Sequence, residues 1–596
     1  MRTAETVLTV IRERGKQGLP LERVYRLLFN QELYLRAYAR LYPNKGAMTK
    51  GSTNETVDGM SLAKIEQLID DLRYERLRWT PVRRVHIPKS NGKKRPLGIP
   101  TWKDKLLQEV MRSILEAYYE PQFSDHSHGF RPDRGCHTAL HAIQDTWTGT
   151  HWFIEGDIAK YFDTINHDVL IEILGETIQD GRFLRLIREL LNAGYMEDWK
   201  FNKTLSGTPQ GGVISPLLSN IYLDRFDQWV EKTLIPAHTR GHRRRTNPKY
   251  QTINNKLYRM RKRGSKEGVK VLVKERRKHP STDPNDANYR RLLYIRYADD
   301  FLLGYAGTKA EAEEIKRKVK AWLGDNLKLD LSDDKTLITH ATNEAARFLG
   351  YEINTYHVND KLDALERRVN NGKIGLRVPA KVIEAKCARH YRNGVLMHRS
   401  ELLEDSDFSI VTRYQQEYRG LVQYYLLASN VDWFNKLHWV MRGSLLKTLA
   451  AKHKSSMMKL RQKYATTTQA ETGETLNCLE VRVEREGKPP LVARFGGISL
   501  RRHPSAIPND QPYVDRSKRT ELIKRLLADE CEVCGSREDV EVHHIRKLAD
   551  LNKEGRKERP TWVKRMAARR RKTLVVCRQC HVAIHAGRPT RQKVTE

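Results

Sequence analysis

The chain has no run of 18 or more apolar residues, whereas a bilayer-spanning helix needs about 20. No transmembrane segment is expected. It opens with MRTAETVLTVIRERGKQGLP, which lacks a long apolar core and a small-residue cleavage site, so no secretory signal is expected. The acidic Glu5 and Glu13 weigh against a transit peptide. Without an export signal the expected compartment is reducing: the cytoplasm or nucleoid of a bacterium, with an organelle left open. Disulfides are not expected there. Cysteine is scarce, at 7 among 596 residues. Internal repeats and long low-complexity tracts are missing too. Negative charge is in short supply: 73 Asp and Glu face 108 Lys and Arg, for a formal net charge of +35. An excess of that size points to a polyanionic partner, and nucleic acid is the usual one.

A chain of 596 residues is too long for one ordinary core, and about three or four domains are expected. Residues 1–75 carry apolar residues at helical spacing, as in LERVYRLLFNQELYLRAYARLY, and a polar loop, NKGAMTKGSTNETVDG, intervenes. From about 81 to 360, short β-rich runs (RRVHIP, HWFIEGDI, LLYIRYADDFLLGYAG, RFLGYEI) alternate with helical runs such as KDKLLQEVMRSILEAYYE, which predicts an α+β domain. Residues 235–290 are basic, polar and Pro-containing, and read as a surface insertion. Residues from about 375 to 470 read as helix rich in Arg, Lys and Tyr, and EGKPPLVARFGGISLRRHPSAIPNDQPYVDRSKR as short strands mixed with Pro-rich loop, a linker or small module. A separate Cys/His unit ends the sequence.

YIRYADDFLLGY places Asp299 and Asp300 inside an apolar stretch. Unpaired buried charge is costly. Neighbouring strand residues point to opposite faces, so adjacent carboxylates serve one site only where a tight turn falls at Ala298-Asp299-Asp300, with Asp299 presented best. A third carboxylate should come from a neighbouring strand, and HWFIEGDIAKYFDTI offers Asp157 where an apolar run breaks. Such a trio suits hard cations, Mg²⁺ above all, which take a few carboxylates plus substrate phosphates. Two such ions activate a hydroxyl and stabilise a leaving pyrophosphate. The plain alternative is a hairpin capped by Asp, a common turn residue.

The same stretch keeps company with GKKRPLGIPTWKDK before it, SGTPQGGVISPLLSNIYL between the carboxylate strands, and LSDDKTLITH and RFLGYEI after it. This ordered set resembles reverse transcriptases, specifically the group II intron-encoded reverse transcriptase/maturase family, over almost the whole chain. The resemblance implies a right-hand-like fingers and palm, and catalytic metal-binding roles for Asp157, Asp299 and Asp300. It implies that Phe162 lies under the nucleotide sugar and rejects a ribose 2′-OH. Lys93, Lys94 and Arg95 would meet the triphosphate, Gln210 would line the nucleotide site, and Lys335 would stand near the phosphates. Gly211 and Gly212 suit close backbone approach. It further implies an α-helical thumb, domain X, that grips primer–template and intron RNA. Aromatic residues at helical spacing in 413–464 read as core, with Arg and Lys as phosphate contacts.

Cys531-x-x-Cys534 and Cys577-x-x-Cys580 make a Cys₄ set with zinc-ribbon-like spacing, expected to hold a structural Zn²⁺. His581 and His585, four apart, share a helix face, and His543-His544 ends a short strand. The unit resembles HNH-type homing endonucleases and their ββα-metal site. That implies His543, His581 and His585 as ligands of Mg²⁺ or Mn²⁺ and His544 as the general base on water. RRRKTLVVC lacks the Asn that many such motifs carry before the second Cys pair, so the orienting role of that Asn stays unassigned. The expected division is fingers and palm at 1–365 (extension 1–80, basic insertion about 235–290), thumb at 366–480, a DNA-binding region at 481–525 and the endonuclease at 526–596. The expected partners are group II intron RNA, target DNA and dNTPs, with no membrane. The expected work is copying intron RNA into DNA, promoting its splicing, and nicking target DNA to prime that copying. The rivals are a splicing factor without polymerase activity and a reverse transcriptase with a non-cutting zinc module.

Overall fold

The computed structural model describes residues 3–88, 92, 94–197, 200–202, 207, 211–264, 266–283, 286–358, 361, 370–470, 473–506, 521–551 and 560–591. Lys93 and Gln210 lie outside them, as does part of the expected DNA-binding region, 507–520. The N-terminal region contains helices Ala4–Lys16, Gln31–Leu41 and Leu62–Arg73. The stretch 21–42 is not the single helix its spacing suggests. Arg23 takes a left-handed φ of 53°, a 3-10 segment follows at Val24–Phe29, and Asn30 caps the next helix from extended backbone. An Asn side chain that satisfies a first-turn N–H favours a new start over continuation.

The fingers sheet orders its strands as Lys94–Ile99, Val82–Pro88, Tyr195–Glu197 and Lys200–Asn202. The long helix Trp102–Tyr119, capped by the Thr101 hydroxyl, packs on helices Ala4–Lys16 and Gln31–Leu41. The palm sheet has five strands in the order Ile338–His340, Trp152–Asp157, Asp300–Ala306, Arg291–Tyr297 and Ser127–His128. Helix Lys309–Leu327 covers it and opens on a capping box, with Thr308 and Glu311 each closing on the other's backbone N–H. The basic insertion is a helical hairpin, Pro248–Lys262 and Lys266–Arg276. Isolated bridges Arg240↔Arg290 and Thr246↔Thr282 tie its ends together.

Helices Asp407–Tyr424, Phe434–Lys452 and Met457–Tyr464 form the next unit. Tyr414, Tyr418 and Phe434 are fully enclosed, as the core reading requires, whereas Trp439 is 68% exposed. A three-stranded sheet, Ala465–Gln469, Thr475–Arg485 and Lys488–Gly496, packs on helix Asp407–Tyr424. The boundary expected at 480 falls inside its middle strand. Helix Glu521–Leu527 then leads into the hairpin Val540–His544/Thr573–Cys577 and helix Arg578–His585. Among the described residues, no helix is long and apolar enough to cross a membrane.

Candidate active sites

The first site lies at the ends of adjacent palm strands. Asp300 stands directly across from Asp157 in an antiparallel pair and from Tyr297 in the hairpin. Directly opposed residues share a sheet face, so Asp157 and Asp300 project together. The two-residue turn between Tyr297 and Asp300 holds Asp299, with Ala298 at a left-handed φ of 53°. The turn therefore does what the apolar flanks demanded, but it is Asp300 that stands in register with Asp157.

Three carboxylates together need compensation, and the chain supplies it from two sides. The Lys335 ammonium donates to both oxygens of Asp157, at 3.1 and 2.9 Å. Burial raises the pKa of Asp299; its own backbone N–H opposes the shift and Asp157 adds to it, with Arg95 and Arg296 opposing. Asp300 is pushed up to about 6 by partial burial and by Asp299 and Asp157, with Lys335 working the other way. Groups that resist ionising beside one another are suited to a divalent cation, which removes the repulsion.

Beneath the turn lies a polar support that sequence reasoning passed over. Arg296, fully buried, donates through Nε to Asp227 Oδ1 at 2.7 Å, through Nη1 to the Ala298 carbonyl at 2.8 Å and through Nη2 to Ser127 Oγ at 2.7 Å. The Tyr294 hydroxyl donates to the same Asp227 oxygen at 2.6 Å. Arg296 was visible in YIRYADD, but its partner is 69 residues away.

Arg95 and Lys94 begin a fingers strand and are exposed. Phe162 is half-buried on the short helix after Asp157. Gly211 adopts φ +111°, and a Cβ there would come within 2.6 Å of the Gly98 carbonyl. The loop and the fingers strand thus meet backbone to backbone.

The second site is built on the terminal hairpin, where strand alternation sorts the side chains. Glu541 and His543 point to one face. Val540, Val542 and His544 point to the other, and the two valines join the core of the N-terminal helices. His581 and His585, one turn apart on the following helix, come to the His543 face, with 3.0 Å between their Nε2 atoms. His581 Nδ1 lies 2.6 Å from Glu541 Oε1. A carboxylate behind a histidine fixes its ring and leaves Nε2 for an ion. Both ring nitrogens of buried His543 lack a hydrogen-bond partner, as expected of atoms kept for a ligand.

A fourth residue joins them. Asp58, from the polar N-terminal loop, places its carboxylate with these histidines, the four ligand atoms lying within 4.8 Å of one another. Burial alone would raise its pKa, but hydrogen bonds from His581 and the His544 backbone N–H hold it far below the usual carboxylate range. Burial likewise opposes a charged His581, yet its contacts with Asp58 and Glu541 lift it to about 9. Neither Asp58 nor Glu541 was singled out from the sequence. Glu541 could have been, being two residues before His543 and so on its face of the strand. His544 is not in the cluster. Its Nε2 sits 2.8 Å from the Tyr38 hydroxyl and its ring lies beside Tyr42, while burial depresses its pKa to about 3. Thr573 stands across from it in the hairpin.

The four cysteines form a third cluster, their sulfurs within 4.8 Å of one another. The Cys534 N–H donates to Cys531 Sγ at 3.4 Å. Thiolates gathered this closely, with backbone N–H support, fit a tetrahedral ion.

The comparisons agree with this division of chemistry. Residues 87–353 match the family described as reverse transcriptase (RNA-dependent DNA polymerase). Residues 377–497 match type II intron maturase, and 531–581 match AI2M/AI1M-like HNH endonuclease. The chain is similar to the group II intron-encoded protein LtrA of Lactococcus lactis subsp. cremoris, 37% identical across 98% of this chain and 99% of that protein. It is similar to the putative COX1/OXI3 intron 1 protein of Saccharomyces cerevisiae, 32% identical across 94% of this chain and 69% of that one. An uncharacterized 91 kDa protein in the cob intron of Schizosaccharomyces pombe is 33% identical across 94% and 69%. With an open carboxylate site on a palm sheet, a maturase unit behind it and a histidine cluster on a ββα hairpin, the chain belongs to the group II intron-encoded proteins, and it is an RNA-directed DNA polymerase, a maturase and an HNH endonuclease in one polypeptide.

Proposed function

We propose that Asp157, Asp299 and Asp300 are the catalytic carboxylates of the polymerase and hold its divalent ions, Mg²⁺ in the cell. The register that sets Asp157 opposite Asp300 carries this reading. The ions, when bound, lower the pKa of the primer 3′-hydroxyl and neutralise the pyrophosphate that leaves. The protein's part is position and charge. Arg95 and Lys94 meet the triphosphate from the fingers strand, the family resemblance assigns Lys93 and Gln210 to the same nucleotide, and Lys335 turns from Asp157 to the incoming phosphates. Phe162 supports the sugar. Fixed cations reduce the repulsion between a polyanionic substrate and the carboxylates.

In the endonuclease, His543, His581 and His585 hold one divalent ion, Mg²⁺ or Mn²⁺, and Glu541 orients His581. His544 takes the proton of the attacking water when a DNA phosphate is in place. The cysteines hold Zn²⁺. The fingers and palm end near 365, and the thumb with its attached sheet grips intron RNA and primer–template; residues 481–525 contact target DNA. Nicking of that DNA supplies the primer for copying the intron, and this work takes place in the cytoplasm of a bacterial host.

A purified complex with intron RNA tests the reading when splicing, primer extension and nicking are followed in parallel. Asp299→Ala or Asp300→Ala should abolish extension and leave splicing and nicking. His581→Ala should abolish nicking alone. Loss of splicing with extension would sink the assignment of separate sites.

A further inference from the structure

The terminal site takes one of its groups from the other end of the chain. Asp58 lies 486 residues before His544. Its Oδ2 is 2.8 Å from His585 Nε2, and its Oδ1 is 3.2 Å from His581 Nε2 and 3.6 Å from His543 Nδ1. The loop that carries it is pinned by backbone. The Gly59 N–H donates to the Val542 carbonyl and the Val542 N–H to the Met60 carbonyl, each at 2.9 Å, and the His544 N–H donates to Asp58 Oδ1 at 2.7 Å. Gly59 turns at φ +74° to make this possible, with the Glu541 carboxylate 3.4 Å from where a Cβ would stand.

Three imidazoles and a carboxylate would give Mg²⁺ or Mn²⁺ four protein ligands, one more than the histidine trio alone, out of the six such an ion takes. A catalytic ion keeps positions open for water and substrate, and a position taken by a carboxylate, with its negative charge, is withdrawn from a phosphate oxygen. Here the chain's own Asp58 stands ready to take one. The base is covered as well: the same N-terminal region holds His544 Nε2 at the Tyr38 hydroxyl, on the opposite face of the strand from the ion ligands. The two parts of the machinery are blocked by separate pieces of the N-terminal region, the 54–60 loop and the helix Gln31–Leu41 that carries Tyr38.

We infer that the N-terminal extension keeps the endonuclease latent, Asp58 acting as a fourth ligand of the HNH ion in the place of the scissile phosphate, so that nicking requires the 54–60 loop and Tyr38 to leave the terminal hairpin. This rests on reading His543, His581 and His585 as the ion site. The extension belongs to the fingers side of the molecule, so nucleic acid engaged there and release of the nuclease are coupled through the 54–60 loop and Tyr38.

The test uses the free full-length, zinc-loaded protein in an Asp299→Ala/Asp300→Ala background, so that the palm contributes little Mn²⁺ binding. Mn²⁺ affinity is measured by calorimetry, and nicking of supercoiled plasmid is measured at saturating Mn²⁺. Asp58→Ala should weaken Mn²⁺ by about tenfold or more, the scale for groups that build a metal site, and should raise the nicking rate. Asp58→Asn, which keeps the shape and an acceptor for the His544 N–H, should shift both in the same direction and decides the matter where the alanine variant does not fold. Tyr38→Phe should raise nicking and leave Mn²⁺ affinity as it was. Unchanged affinity in the folded Asp58 variants, or nicking no faster than the parent, overturns the inference. His581→Ala separates the underlying reading: if it too leaves Mn²⁺ binding intact, the ion site itself is misplaced.

Discussion

A single side chain, Arg296, decides whether the polymerase turn is held in shape. It is fully buried and forms an ion pair with Asp227, itself at 0% side-chain exposure. Such a pair adds little over a well-packed apolar pair, but breaking it by removing one partner leaves the other charge unpaired, at a cost of about 3–5 kcal/mol. Arg296→Met should therefore destabilise the palm by that order and also free the Ala298 carbonyl that fixes the turn. Arg296→Met with Asp227→Leu should recover most of the stability in denaturant unfolding but not the primer extension, because the turn contact stays missing. Full recovery of extension would remove the positioning role. The contrast with Asp157 shows what was legible. Asp157 and Asp299 announce themselves by standing at the end of apolar runs, where a charge needs a reason. Arg296 looks like any alternating strand residue until Asp227 is seen to lie under it, and Asp58 sits in an ordinary polar loop until the bridge from Met60 of that loop to Val542 is known.

At the scale of elements, the thumb helices are closed by one carboxylate. Asp407, in the first turn of its helix, accepts from Lys452 Nζ at 2.8 Å, from the Tyr464 hydroxyl at 2.6 Å and from His453 Nε2 at 2.8 Å. Burial pushes its pKa up, but these three donors pull it down to about 2. A depressed carboxyl contributes stability above its unfolded pKa of about 3.9 and loses it as pH falls through the folded value. The shift corresponds to about 2 kcal/mol. Asp407→Asn should cost that much near neutral pH, with the gap between variant and parent closing between about pH 4 and pH 2. Amide exchange in helix 407–424 measures it, and a gap that persists at the acid end would show that the clasp does not depend on charge. Helical periodicity announced this helix and its buried tyrosines. Of the sheet 465–496 only the last strand, within EGKPPLVARFGGISL, was legible as strand; the middle strand, which crosses the expected boundary, was not, because alternation in a half-exposed strand is hard to tell from a charged linker.

The molecule as a whole is joined more tightly than a string of functional units. Leu522, Ile523, Leu526, Val540, Val542 and Val575 of the terminal unit belong to the same continuous core as Leu33, Tyr38 and Met60. The cysteine cluster has a small core of its own around Val563, Met566 and Leu574. Two cores on the two faces of one hairpin make the four-cysteine site a support for the N-terminal region. A unit of this size leans on its metal staple, so stripping zinc with a strong chelator should loosen the hairpin and with it the face it covers. Amide protection should fall in helix 31–41 and around Val57–Met60, and nicking should be lost. Protection in the palm strands 291–306 and primer extension should hold, because those strands are held by their own ladder and by the buried Arg296–Asp227 pair. If helix 31–41 keeps its protection after zinc is removed, the N-terminal region folds without its partner, and release of the nuclease would cost the fingers nothing. If protection falls there, displacing the hairpin exposes apolar surface on the extension, and the nucleic acid that triggers release must cover it.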